Sequence, residues 1–146
     1  MKIKKIAIIL SVITLLFVLT GCGEQGKIKK LFKQYETACR KGDAAGMIMC
    51  YTPEEGKPIL VVIKALGIEN TLMDIMKWAD ESALTESGKD LQSTLKTIKI
   101  KPVSYDFNTD KTYCEVKAEC SIGKQDPKEV EFHCVLVDKM WYFTFK

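Results

Sequence analysis

Few side chains in this sequence could carry out chemistry. His133 is the only histidine among the 146 residues, so a nucleophilic site of the Ser-His-Asp or Cys-His type would have to include it. Apolar residues flank it at Phe132 and Cys134, and side chains alternate between the two faces of a strand. This alternation points His133 away from the core. We therefore predict no catalytic residue and a chain that is not an enzyme.

A metal site is also not indicated. Residues 106–110 (Asp-Phe-Asn-Thr-Asp) are similar to the first half of a calcium-binding loop. The sixth and twelfth positions of that loop would be Lys111 and Lys117, where calcium loops require Gly and Glu. Asn, Thr and Asp are also common in hairpin turns. The segment therefore predicts a turn, and we expect neither a metal ion nor another cofactor.

Cysteine is the remaining reactive residue type, with six copies. No pair has the C-x-x-C spacing of zinc or thioredoxin-like sites. An exported chain meets oxidants, but buried cysteines also serve as small apolar residues. Five residues are disulfide candidates, among which the sequence does not select a pairing: Cys39, Cys50, Cys114, Cys120 and Cys134.

The sixth cysteine ends a leader. Residues 1–21 combine three early lysines with an apolar run over 6–19, typical of a signal peptide and shorter than the ~20 residues of a membrane span. The sequence Leu-Thr-Gly-Cys at 19–22 resembles the lipobox of bacterial lipoproteins. That resemblance implies cleavage before Cys22, which takes a diacylglycerol and anchors the chain at the extracytoplasmic face of the cell membrane.

Charge and composition indicate that the mature chain is one globular domain. From Cys22 onward, 19 basic residues balance 19 acidic ones, so nucleic-acid binding is not indicated. With 47% hydrophobic and 28% charged residues overall, the chain can bury a core. We expect a short tether at 22–26 and a single domain at 27–146. A basic cluster after the tether could contact anionic headgroups or form a solvated helix face: Lys27, Lys29, Lys30 and Lys33.

The first half of the domain, residues 27–83, is predicted to be helical. Apolar residues recur with helical spacing over 27–41, and Gly42 and Asp43 then end one helix and cap a second over 44–51. Residues 58–67 could form a strand or a helix, and we favour the helix. A further helix is predicted from Asn70 or Thr71 to Ala83.

The second half, residues 94–146, is predicted to be a four-stranded antiparallel sheet. Apolar and polar residues alternate over 94–107, 112–122, 128–137 and 140–146, with turn residues between them. A turn at 138–139 aligns the apolar faces of the last two strands. It predicts three cross-strand pairs: Cys134 with Phe143, Leu136 with Trp141, and Phe132 with Phe145.

The first two strands can be aligned in the same way. A turn at 109–110 pairs Tyr105 with Cys114 and Val103 with Val116. The apolar positions in the first strand change from even to odd numbers near Pro102. One inserted residue, a β-bulge that bends the sheet, would explain this change.

Two segments resemble a known family. Residues 28–47 and the closing V-L-V-D-K-M-W-Y-F at 135–143 are similar to the ends of nuclear transport factor 2-like, cystatin-like lipoproteins. The resemblance implies an α+β fold in which N-terminal helices pack on a curved four-stranded antiparallel sheet, enclosing a cone-shaped ligand cavity. Six residues are the expected cavity lining: Tyr35, Cys39, Val116, Phe132, Trp141 and Phe143.

Three functions remain open on these grounds. The first is a non-catalytic module that binds a small apolar ligand or a protein partner at the membrane. The second is a cavity enzyme of the nuclear transport factor 2-like type, for which Glu36 is the one acidic candidate. The third is a cystatin-like inhibitory or structural surface protein. We favour the first, because the predicted inner positions hold no acid or base, and expect Glu36 on the helix flank beside Lys33 and Arg40.

Overall fold

The computed structural model describes residues 23–67 and 93–146 of the chain. Helices come first, followed by an antiparallel sheet in the order β1-β2-β3-β4, so the predicted α+β class is confirmed. The signal peptide, Cys22 and the helix predicted near 70–83 lie outside the described residues. The elements are α1 (Gly23–Lys41), α2 (Ala44–Ile48), α3 (Pro53–Ala65), β1 (Lys99–Phe107), β2 (Tyr113–Ser121), β3 (Lys128–Val137) and β4 (Met140–Thr144).

Helix α1 begins earlier than the sequence pattern predicts. Gly23–Gly26 are helical, so the predicted tether at 22–26 is wrong for these residues. Glu24 accounts for the extension, because its carboxylate accepts a hydrogen bond from the Trp141 indole N–H and pairs with Lys27. These contacts lower the pKa of Glu24, and an acidic side chain in the first turn also suits the helix dipole.

The end of α1 follows the prediction. Gly42 has a φ of 65°, and the backbone N–H of Asp43 donates to the carbonyl of Ala38 at 2.9 Å. This is the Schellman ending, in which glycine adopts the left-handed conformation without a steric penalty. Asp43 then caps α2 as predicted, because its side chain accepts a hydrogen bond from the N–H of Gly46 at 2.8 Å.

Helix α2 ends at Ile48, before the predicted Tyr51. The chain leaves the helix because residues 50–52 pair with the outer edge of β4. Phe143 N–H donates to the Cys50 carbonyl at 2.8 Å, and Thr52 N–H donates to the Phe143 carbonyl at 3.0 Å. Thr52 caps α3, which covers most of 58–67, so the favoured helix is confirmed there.

The last hairpin has the predicted register. Val137 pairs with Met140, Leu136 with Trp141 and Cys134 with Phe143. Asp138 and Lys139 both have positive φ, as a two-residue type I′ turn requires. The ladder ends at His133 and Thr144, and the predicted pairing of Phe132 with Phe145 is wrong. Phe145 instead stacks on Tyr51 with a 4.3 Å separation of ring centroids.

The first hairpin is shifted by two residues from its prediction. Phe107, rather than Tyr105, pairs with Cys114, and Tyr105 pairs with Val116. The connecting loop is longer than expected because the Asn108 side-chain oxygen accepts hydrogen bonds from the N–H groups of Thr112 and Tyr113. A shift of two residues leaves Tyr105 and Phe107 on their predicted face, where both pack against the core.

The predicted bulge is confirmed, and it changes the position of one residue. The β1–β2 register shifts between Pro102 and Ser104. Val103 is the extra residue and is 43% exposed, so its predicted pairing with Val116 is wrong. Apolar residues on either side of the bulge, Ile100 and Tyr105, pack against the same core.

Two side chains of α1 fix the start of β1. The Glu36 carboxylate accepts a hydrogen bond from the Ile100 N–H at 2.7 Å, and Arg40 Nε donates to the Ile98 carbonyl at 2.6 Å. Glu36 and Arg40 also form an ion pair with a 3.1 Å separation. Charge-assisted hydrogen bonds of this kind are stronger than neutral ones, so they position the edge strand against the helix.

The core lies between α1 and the inner face of the sheet. The Phe32 ring contacts the rings of Phe132 and Phe143 edge-to-face, each with a 5.0 Å centroid separation. From the sheet, the residues that are completely or almost completely buried are Cys114, Val116, Ala118, Cys134, Trp141 and Phe143.

Removing the Tyr105 hydroxyl should stabilise the protein. Within the described residues this oxygen is buried without a hydrogen-bond partner, and an unsatisfied buried polar group costs about 1–3 kcal/mol. We expect Tyr105→Phe to raise the free energy of unfolding by about 1 kcal/mol in urea denaturation. Tyr35→Phe is the matched control and should give no such gain, because the Tyr35 hydroxyl interacts with Tyr51 and is not a buried group without a partner. A destabilised Tyr105→Phe would contradict this reading.

Glu55 should make stability depend on pH. Its carboxylate accepts hydrogen bonds from the hydroxyls of Thr52 and Thr144 and from the N–H of Phe145. Burial raises the pKa of Glu55, but these hydrogen bonds outweigh it and the pKa is lowered. The stabilisation is therefore present above the unfolded glutamate pKa of about 4.3 and is lost as the pH falls through the lower folded value.

We expect Glu55→Gln to cost about 1–2 kcal/mol of unfolding free energy at pH 7 and to flatten the acid side of the stability profile. Glu54→Gln is the matched control, since Glu54 occupies the same first turn and is exposed. The measurement is urea denaturation between pH 3 and 7. Equal losses for both variants would show that the helix dipole, rather than the hydrogen bonds of Glu55, is responsible.

Candidate functional site

Five of the six residues predicted to line a cavity belong to the core or pack against it, namely Tyr35, Val116, Phe132, Trp141 and Phe143. The sixth, Cys39 on α1, is partly exposed and lies outside that cluster. Val116, Trp141 and Phe143 are almost inaccessible to solvent, and the Tyr35 ring lies 5.2 Å from that of Phe143. Phe32 fills the space between α1 and the sheet that the resemblance assigned to a ligand. The rings of Tyr35, Phe132 and Phe143 contact one another, and none of the six predicted lining residues lines the groove described next.

A groove of about 680 Å³ runs beside α1, on the flank next to its buried stripe. Helix α1 forms one wall, and α2, the turn after it and the start of β4 form the other. Helical spacing brings the α1 residues into one row. The lining residues are Lys30, Lys33, Gln34, Thr37, Ala38, Lys41, Asp43, Gly46, Met49, Cys50, Met140 and Tyr142.

Part of the groove lining is apolar, and we call this part its floor. Met49 and Met140 are 67% and 60% exposed, and Ala38, Cys50 and Tyr142 lie alongside them. Methionine is flexible and polarisable, which suits it to contact apolar groups of varied shape. Exposed apolar side chains that converge in a concave surface are typical of a binding site.

Gly46 allows the two walls to approach. A Cβ atom at this position would lie 2.4 Å from a carboxylate oxygen of Asp43 and 3.2 Å from the Ala38 Cβ. Any larger residue would displace the Asp43 side chain that caps α2. The glycine therefore keeps both the cap and the depth of the groove.

The rim of the groove is basic. The charged lining residues, which we call the rim, are Lys30, Lys33, Lys41 and one acidic residue, Asp43. The Asp43 carboxylate is already bound by the Gly46 N–H. The rim therefore carries more positive than negative charge and lies beside the apolar floor. Such a concave surface attracts an anion and focuses the electrostatic potential.

The structure divides the basic cluster predicted from the sequence. Lys30 and Lys33 line the groove, whereas Lys27 pairs with Glu24 at 2.9 Å. Lys41 joins the rim from the other end of the helix, and sequence reasoning did not select it. The helical spacing of Lys41 from Lys30 and Lys33, which places all three in one row of α1, could have identified it from the sequence.

The groove provides one thiol, from Cys50, but not a reactive one. Burial raises the pKa of this thiol to about 11, so it is protonated at neutral pH. Its sulfur donates a weak hydrogen bond to the Gly46 carbonyl at 3.5 Å. The thiolate is the nucleophilic form of cysteine, so Cys50 contributes apolar surface to the groove.

The remaining residues considered for chemistry lie elsewhere. His133 Nδ1 is 2.6 Å from the Tyr113 hydroxyl, and its Nε2 is 3.6 Å from a carboxylate oxygen of Glu131. Its neighbour Cys134 is buried on the inner face of the sheet, so His133 lies on the outer face as predicted. Glu36 pairs with Arg40 on the helix flank, also as predicted.

Residues 106–110 comprise the end of β1 and the turn that follows it, in which Asn108 binds the backbone of Thr112 and Tyr113. Among residues 23–67 and 93–146, His, Cys, Asp and Glu side chains do not gather in a group of three or more that could hold a metal ion. The five cysteines Cys39, Cys50, Cys114, Cys120 and Cys134 are all free thiols in the structure.

In the same two ranges, no helix has both the length and the apolar character needed to cross a membrane. No known protein family, curated protein or solved structure matches this chain.

Proposed function

We propose that this chain is a bacterial surface lipoprotein whose groove beside α1 binds a small anionic amphiphile without catalysis. The observation that carries the proposal is the combination of an apolar floor with a basic rim. An aliphatic part of the ligand would contact Met49, Met140 and Tyr142, and its anionic group would pair with the lysines. A volume of about 680 Å³ lies within the range of small-molecule sites.

The position of the domain supports an anchor at Cys22. Helix α1 begins at Gly23, directly after the cysteine of the lipobox-like sequence. Each buried acyl CH₂ contributes about 0.8 kcal/mol, so the two chains of a diacylglycerol hold a protein at a bilayer where one chain is marginal. This anchor would place the basic rim next to the amphiphiles of a membrane.

The chemistry of the groove favours binding over catalysis. General acid–base catalysis requires a group whose pKa is near the working pH, within hydrogen-bond reach of the substrate. The groove instead contains lysines, one carboxylate bound by a backbone N–H, and a protonated thiol. His133 and Glu36 are not among its lining residues, which argues against the cavity-enzyme alternative.

Reversing the charge of the rim should weaken binding of an anionic amphiphile. The probe is octanoate, detected by saturation-transfer NMR on the full mature protein in phosphatidylcholine nanodiscs, with empty nanodiscs as the blank. We expect Lys30→Glu/Lys33→Glu to weaken octanoate binding at least about tenfold, which corresponds to about 1.4 kcal/mol. Lys29→Glu reverses one charge at an exposed position of α1 outside the groove, half of the charge change in the double variant, and should change affinity less than twofold.

Octanol tests the role of the anion, since it has the same chain without the charge and should bind more weakly than octanoate. Equal affinity of octanoate for both lysine variants, or no saturable binding to the unaltered protein, would rule out the groove as an anion-binding site.

Substitution of Cys22 should prevent processing. The unaltered protein, isolated from the membrane of the producing bacterium, should have an intact mass that lacks residues 1–21 and includes acyl chains. Cys22→Ser should retain the leader, because serine lacks the thiol that accepts the diacylglycerol. Cys50→Ser is the control and should be processed normally. Recovery of the unaltered protein with Met1 present and no acyl mass would refute the anchor.

A further inference from the structure

Two of the five cysteines lie directly opposite each other in the sheet. Cys114 on β2 pairs with Cys134 on β3 in the antiparallel register. Both side chains point to the inner face and both are 0% exposed. The sequence leaves the disulfide pairing of its five candidate cysteines open, and the strand register distinguishes Cys114 and Cys134 from the other three.

The type of pairing sets the separation of the two residues. Leu136 N–H donates to the Thr112 carbonyl at 2.7 Å, so these opposite residues form a hydrogen-bonded pair. Cys114 and Cys134 lie two positions further along each strand and therefore form a pair of the same type. Hydrogen-bonded pairs have Cα atoms about 5.5 Å apart, within the separation of about 4.4–6.8 Å that disulfides span. Their Cβ atoms lie at the wide end of about 4.5–5.5 Å, so closing a disulfide, whose Cβ atoms are about 3.5–4.5 Å apart, draws the two strands together locally.

We propose that Cys114 and Cys134 form a disulfide across the β2–β3 hairpin when the chain folds in the presence of a disulfide donor. The donor belongs to the class of small-molecule or protein disulfides that act by thiol–disulfide exchange. This proposal concerns the core of the sheet and does not depend on what the groove binds.

The exchange balances in two steps. One of the two cysteines, as a thiolate, attacks a donor sulfur, which breaks the donor S–S bond and releases one donor thiolate. The second cysteine thiolate then attacks the mixed disulfide, which forms the Cys114–Cys134 bond and releases the second donor thiolate. The protein loses two protons and two electrons, and the donor is reduced to two thiols.

Burial determines when this exchange takes place. In the folded protein, burial raises the pKa of Cys114 to about 11 and that of Cys134 to about 12, so neither thiolate is populated at neutral pH. Neither sulfur is accessible to a donor. The disulfide therefore forms while the hairpin is still exposed, before α1 packs over it, and reductants cannot reach it afterwards. A chain that folds reduced keeps both thiols.

The other cysteines lack an opposite cysteine in the sheet. Cys120 pairs with Ile100 and Lys128, Cys39 lies in α1, and Cys50 lies in the turn after α2. We expect these three to remain thiols when the hairpin is oxidised.

To test this proposal, the full-length protein is refolded from denaturant, once with reduced glutathione and once with oxidised glutathione. Free thiols are then alkylated under denaturing conditions, and the chain is digested and mapped by mass spectrometry without reduction. We expect the oxidised sample to contain the linked peptides of Cys114 and Cys134, with Cys39 and Cys120 alkylated. Oxidised refolding should also raise Tm by about 10 °C, because the disulfide restricts the unfolded chain.

Cys134→Ala should remove both the linked peptide and the Tm difference, whereas Cys39→Ala, the matched control, should retain both. The peptide map of the unaltered protein decides the matter even where a variant fails to fold. Alkylation of both Cys114 and Cys134 after oxidised refolding would overturn the proposal, and so would a link between either residue and any other cysteine.

Discussion

The packing of one helical stripe on one face of the sheet determines the rest of this structure. Phe32 lies at its centre and contacts Phe132 and Phe143 edge-to-face, an arrangement that aromatic rings prefer. Ile28 and Leu31 extend the same stripe and are buried with it. The polar contacts between α1 and the sheet lie around this apolar centre. Glu24 meets Trp141 at one end of the helix, and Glu36 with Arg40 holds β1 towards the other.

The same packing explains where a ligand could bind. Phe32 packs on the inner face of the sheet, where its ring contacts those of Phe132 and Phe143. The next row of α1 side chains, which includes Lys30, Lys33 and Lys41, lies at the junction with α2 and β4 and forms the wall of the groove. The candidate site therefore lies at the margin of the sheet rather than at its centre. At this margin the lysine side chains remain hydrated and the apolar floor is partly exposed.

Local patterns in the sequence predicted much of the sheet, and the misses have physical causes. The two-residue turn at 138–139 set the last register, and a change in parity located the bulge near Pro102. The register of the first hairpin differs from its prediction by two residues, because the side chain of Asn108 takes the place of backbone hydrogen bonds in the loop. The groove was not predicted, since it joins Lys30 and Met140, which only tertiary structure brings together. The cavity was expected from the family resemblance, and alternation alone identifies a buried face without showing how closely a large residue such as Phe32 packs against it.

The two outer strands of the sheet are blocked against pairing with other copies of the chain. An open edge strand exposes backbone groups that can pair with another chain. At β1, the Glu36 carboxylate occupies the N–H of Ile100, Pro102 has no N–H to offer, and the bulge at Val103 interrupts the regular spacing. At β4, residues 50–52 already bind the N–H and the carbonyl of Phe143. Copies held side by side by the proposed lipid anchor would meet at high local concentration, and edges blocked in this way would hinder pairing between the sheets of neighbouring copies.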